Sequence, residues 1–209
     1  CHNTTGGAYA DFGIYYTPAN VSKFDAAAEQ LSCDVLATSS YYTFKCGPVK
    51  LNVVFTAPQL IDDLDLLSTP INYISYKGTG LDKKKHDVQL LITTSPELAV
   101  NSSSQPTVSN TLSKGGMKYL KAGTIKQAYC ATAADLICQD WGYVYLTQGA
   151  SNQQLSLNSE LEIENTFSAT GNLPTSKEEV RAFKNVDMPA LAFVDNLGSV
   201  DKKTSKSNF

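Results

Sequence analysis

The chain has 209 residues, enough for one β domain or at most two small ones. Hydrophobic residues make up 42% and charged residues only 18%, with a formal net charge of -3 and an isoelectric point of about 5.4. That balance leaves no basic face for nucleic acid, and no apolar run approaches the ~20 residues of a membrane span.

Eleven tyrosines and eight phenylalanines in a low-charge chain favour strands over helices. From Cys1 to Ser22 the sequence is small, Gly-rich and aromatic, with Phe12–Tyr16 as a short strand. Phe24–Leu31 carries helix formers. Cys33–Leu36 and Ser40–Cys46 read as strands, and Gly47-Pro48 turns the chain into the next one. There Val49, Leu51, Val53 and Phe55 alternate with Lys50, Asn52, Val54 and Thr56, the period of a strand with one buried face. A Pro-bounded acidic turn follows, then strands Ile71–Lys77 and Asp87–Thr94 joined by a Gly/Lys-rich turn. In that turn Lys83–Lys85 solubilises a hairpin end.

Beyond Val100, a polar stretch reads as an exposed loop leading into an edge strand. Met117–Lys121 is a short strand, and Lys126–Cys138 is Ala-rich and can be helical. Trp141, Tyr143 and Tyr145 alternate with Val144 and Leu146, so Trp141–Thr147 reads as a strand packed on both sides. Leu155–Leu157 and Leu161–Ile163 are weaker alternators. Ser176-x-x-Glu179 is a capping-box pattern and predicts a short surface helix over Ser176–Lys184. Leu191–Val194 is the last strand, and the polar tail frays. Ten or more strands exceed an ordinary single sheet, so the fold class is all-β, an antiparallel β-sandwich with a few short helices.

Three collinear stretches carry a resemblance. FTAPQLIDDLDLLSTPINYISYKG with DKKKHDVQLLITTSPELAVN, then ADLICQDWGYVYL, then DMPALAFVDNLGSV resemble the N-terminal region of the glutaminase A family of bacteria and fungi. The shared order of the pieces carries the resemblance, because none of them is a catalytic signature. It implies a β-sandwich standing before a helical-toroid domain, and hydrolysis of the L-glutamine side-chain amide by the full-length protein. Residues 1–29 are then a loop and short helix, 30–200 the sandwich, and 201–209 a polar tail. The partners implied are the helical-toroid domain of the same protein and a small-molecule substrate. The sandwich itself is expected to be accessory or substrate-shaping. The alternative is a carbohydrate-binding or structural docking module, with the tyrosines and Trp141 as a stacking platform.

Several constellations invite chemistry. Asp62, Asp63 and Asp65 could bind a hard cation such as Ca²⁺, but the spacing lacks the Gly and closing Glu of an EF-hand, and capping of a helical turn is the simpler role. Asp140, Trp141 and Tyr143 could present a carboxylate and rings to a ligand, or form a core around the indole. The adjacent His86-Asp87 pair points to opposite faces of a strand and makes no triad. Asp62, Asp63, Asp65, Asp140, Trp141 and Tyr143 are therefore candidates for ligand or domain contacts. No catalytic residue, metal or cofactor is assigned.

Five cysteines are present: Cys1, Cys33, Cys46, Cys130 and Cys138. Cys33 with Cys46, and Cys130 with Cys138, can be disulfides or free buried thiols. Cys1 reads as a truncation point or lipid anchor in preference to an N-terminal nucleophile. With neither an initiating Met nor a signal peptide, the chain is a processed or trimmed piece, expected outside the cytoplasm: secreted, periplasmic or lipid-anchored. Asn3, Asn20 and Asn101 begin glycosylation patterns.

Overall fold

The computed structural model describes residues 27–101, 105–129, 141–147, 153–178, 180–182 and 189–208. Expectations for Phe12–Tyr16, Cys1, Cys130, Cys138, Asn3, Asn20 and Asp140 fall outside these. The described residues form twelve strands in three antiparallel sheets, with two α-helices and one 3-10 turn. The all-β sandwich is thus the fold. The chain divides into two compact units, Ala26–Gln89 with Asn196–Phe209, and Cys1–Asp25 with Leu90–Asp195.

The first unit is built on a five-stranded sheet of β1 (Glu29–Val35), β2 (Ser39–Cys46), β3 (Val49–Thr56), β4 (Tyr73–Gly80) and β12 (Ser205–Asn208), in the order β1-β2-β3-β4-β12. Val49, Leu51 and Val53 are buried, as the alternation requires. On the opposite face Asn52 Nδ2 donates to Thr43 Oγ1 at 2.8 Å, and Ser39 and Thr56 share a hydroxyl contact of 3.2 Å. Such cross-strand polar pairs suit the wetted side of an antiparallel sheet.

Two expectations fail in this unit, and the open alternative at Cys33 and Cys46 is decided. Glu29–Leu31 opens β1, where antiparallel pairing with β2 overrides the helical propensity of the preceding residues. Cys33 lies opposite Tyr42, four residues along β2 from Cys46, too far for a disulfide; both thiols are free. The segment read as a fraying tail supplies β12, whose backbone pairs Ser205 with Thr79 and Asn208 with Tyr76. Pairing of that kind needs backbone groups, which a hydrophobicity pattern does not register.

That same strand explains a third correction. β4 and β5 (His86–Thr94) are not a hairpin: β12 takes the free edge of β4, and β5 belongs to another sheet.

In the second unit, β6 (Pro106–Lys114), β7 (Met117–Thr124), β8 (Val144–Thr147) and β10 (Val180–Ala182) form a sheet ordered β10-β6-β7-β8. A three-stranded sheet is ordered β5-β11-β9, with β9 at Gln154–Ser159 and β11 at Pro189–Val200. Leu120 and Ala122 of β7 pack with Leu157 of β9 and Leu191 of β11, and Val144, Leu146 and Leu155 close around them. On the other face of β11, Ala190 and Ala192 pack with Ile163 of helix α2 (Glu160–Thr170).

Helix α2 replaces the strand read at Leu161–Ile163. Ser159 caps it, its hydroxyl accepting from the Glu162 N–H at 3.3 Å, and Gly171 ends it at φ 70°. The helix expected at Ser176–Lys184 is absent over its described residues. Residues 173–178 are extended along the open edge of β9 instead. Ser176 Oγ accepts from the Leu157 N–H at 3.1 Å, and the Lys177 N–H donates to the Leu157 carbonyl at 2.7 Å. Val180–Ala182 then pairs with residues 106–108, so β6 is an edge strand only beyond Val108. There Glu178 Oε1 accepts from the Thr111 N–H at 2.8 Å. A side chain thus satisfies one donor on an exposed edge.

Candidate functional site

The sequence candidates separate into two places. Asp63 is the N-cap of helix α1 (Leu64–Ser68), its Oδ1 accepting from the Leu66 N–H at 2.9 Å. Asp65 sits in the first turn, where its charge complements the helix dipole, and Ser68 and Thr69 hydroxyls bond its carbonyl. Asp62 is exposed beside them. The acidic run therefore acts as turn chemistry. Around it Leu60, Ile61, Leu64, Leu67 and Ile71 are all exposed, Ile61 at 82%. Among the described residues no group of three or more His, Cys, Asp or Glu could hold a metal ion.

His86 does not use Asp87. Its Nε2 lies 2.7 Å from Asp82 Oδ1, which also accepts from the Lys84 N–H at 2.9 Å. These two contacts, the imidazole first, hold the Asp82 carboxyl below the usual carboxylate range. The Lys202 N–H donates to the Asp82 carbonyl at 2.8 Å, tying this turn to residues 201–204. There the Lys203 and Thr204 N–H groups lower Asp201 in the same way. Across β1 and β2, burial and a hydrogen bond that the Tyr42 hydroxyl donates to Cys33 push that hydroxyl up, and burial alone pushes up the Cys46 thiol.

The second place is the outer face of β7 and β8. Register sets Leu120 opposite Leu146 and Ala122 opposite Val144 on the core side, and Lys121 opposite Tyr145 on the other. Alternation therefore turns Tyr119, Lys121, Tyr143 and Tyr145 outward. Trp141, Tyr143 and Tyr145 are 39%, 36% and 53% exposed, so the strand is not packed on both sides as expected. The reason is its position at the edge of its sheet, with only the Val144 and Leu146 face meeting the core.

The rings form two groups of contacts, one of Tyr119, Tyr145 and Tyr143 and one of Tyr129 and Trp141. Tyr119 and Tyr145 lie 6.1 Å apart between centroids, Tyr143 and Tyr145 6.4 Å, and Tyr129 and Trp141 5.0 Å, the last two edge-to-face. Lys121 Nζ stands 3.6 Å over the Tyr143 ring and 5.9 Å from that of Tyr145.

Two devices fix this row. Gln127 accepts from the Gly142 N–H at 2.6 Å and donates to the Thr124 carbonyl at 2.8 Å, pinning the entry to β8 against the end of β7. Gly123 lets the strands meet: a Cβ there would lie 2.6 Å from the Gly142 carbonyl oxygen and 2.7 Å from the Tyr143 ring.

The structure thus brings Tyr143 together with Tyr119, Tyr145 and Lys121, and Trp141 with Tyr129. Sequence reasoning missed Lys121 and Gln127. Strand pairing brings in the lysine, and no spacing within one segment reveals that. No helix among the described residues is long and apolar enough to cross a membrane.

A family described as a domain of unknown function (DUF5127) matches residues 38–209. No curated protein matches the chain.

Proposed function

The chain belongs to the DUF5127 family; on the sequence resemblance alone, we propose that it is the β-sandwich portion of a glutaminase-like hydrolase, accessory to the chemistry. The activity, L-glutamine amide hydrolysis to glutamate and ammonia, comes from the sequence resemblance and belongs to a longer, extracytoplasmic protein. Such hydrolysis needs an activated nucleophile or water and donors for the developing oxyanion.

The observation that carries the reading is the excursion between β3 and β4. It exposes Leu60, Ile61, Leu64, Leu67 and Ile71 while Asp63 is committed to capping. A cluster of exposed aliphatics on a locally capped turn suits a contact with another domain better than solvent. The helical domain implied by the resemblance is the proposed occupant.

Ammonia release from L-glutamine tests this, comparing the 209-residue chain with a longer form carrying the following domain. The longer form alone is expected to turn over, and Ile61→Asp in it is expected to lower activity or the unfolding temperature. Turnover by the short chain would sink the accessory role. An Ile61→Asp variant indistinguishable from its parent would remove the contact.

A further inference from the structure

We propose that the outer face of β7 and β8 is a saccharide-binding site, selective for sugars that carry a carboxylate. It is independent of any catalysis by a longer protein.

The first support is the kind of surface. Trp141, Tyr143 and Tyr145 are large rings with polar edges, held at the surface by a sandwich whose core they do not enter. A pyranose presents C–H faces and a rim of hydroxyls. It therefore suits rings that offer an apolar face and a hydrogen-bonding tip together. The rings here are tilted against one another, at 66° for Tyr143 and Tyr145 and 52° for Tyr119 and Tyr145. A tilted row offers faces and edges along a folded path and fits an oligosaccharide better than a flat sheet of stacked bases.

The second support is charge. Lys121 lies among these rings and makes no ion pair among the described residues. An ammonium held over π faces is oriented and partly shielded from water, which strengthens its attraction for an incoming anion. A carboxylate on the sugar rim supplies the missing partner. Elsewhere the chain is slightly acidic, with a formal charge of -3, so a general attraction for anions does not account for the site.

The third support is preorganisation. Gln127 pins Gly142 to Thr124 through two short bonds, and Gly123 sits where no side chain fits. A row fixed before the ligand arrives loses little conformational entropy on binding.

Isothermal titration of the full 209-residue chain with trigalacturonate tests the proposal, with a neutral trisaccharide and poly-L-glutamate as competitors. Saturable binding is expected, roughly tenfold weaker in Tyr145→Ala and in Lys121→Gln, and retained in Tyr145→Phe. Neither competitor is expected to displace the acidic sugar at equal concentration. Absence of binding at millimolar trigalacturonate would overturn the proposal. So would equal competition by poly-L-glutamate, which would reduce the site to charge, or by the neutral trisaccharide, which would remove the role of Lys121. Tyr145 is exposed and Lys121 half-buried, and an unchanged thermal unfolding curve for each variant establishes that a lost signal is lost binding.

Discussion

Strands β8 and β11 both carry apolar or aromatic side chains on two faces, and they meet opposite fates. β11 is buried on both sides: Leu191 enters the sandwich core, while Ala190 and Ala192 lie beneath Ile163 of helix α2. β8 half-buries Val144 and Leu146 against the core and leaves Tyr145, with Tyr143 just before it, to solvent. Side-chain size on the second face separates the two cases. Small residues allow a helix to approach closely, so a run of alanines signals a third layer. Large rings with polar tips hold another layer away and can end in water without penalty. Hydrophobic identity alone describes both strands equally well and so misjudges one of them.

Three substitutions test the contrast, in order of expected size, and a fourth stands as a control away from both strands. Leu191→Ala removes a fully buried side chain where two sheets meet and should cost about 3–5 kcal/mol. The midpoint of denaturant unfolding should fall at an unchanged slope. Gly123→Ala should cost about 1–3 kcal/mol, because the new methyl meets backbone at the β7–β8 approach. Trp141 is the only tryptophan, so its fluorescence should shift in that variant and report directly on the aromatic row.

Tyr145→Ala should change stability by no more than about 0.5 kcal/mol. A loss as large as that of Leu191→Ala would mean the aromatic face is core in solution. The smallest effect lies at the 81–86 turn, away from both strands. A carboxyl whose folded-state value is depressed contributes stability that is present above its unfolded value and lost as pH falls through the folded one. Asp82 is such a group. Thermal stability below about pH 5 should therefore fall less steeply for Asp82→Asn than for the parent chain.

Much of the fold was legible in the sequence. The alternation over Val49–Thr56 is β3 without adjustment, and the strand count required more than one sheet. Two capping-box patterns show where legibility ended. Ser159-x-x-Glu162 starts a helix, with Gly171 as its stop. Ser176-x-x-Glu179 has the same spelling, but Ser176 faces the open edge of β9, and its hydroxyl serves the Leu157 N–H. The pattern states that a hydroxyl can accept from a nearby donor; tertiary context decides which donor is unsatisfied. The site was half legible for a similar reason. Trp141 and Tyr143 stand out in one segment, whereas Lys121 joins them only through the pairing of β7 with β8.

One feature of the five-stranded sheet bears on how the protein is made. β12 pairs with β4, yet the chain emerges from the ribosome with residues 90–195 between them. The second unit's long central segment is therefore complete in sequence before the first unit can close. Until then β4 presents a row of unpaired backbone donors and acceptors, open to any extended segment nearby. Translation order makes Ser205–Asn208 a latch, and a nascent chain stalled short of Ser205 should be more in need of a chaperone than one carried past it.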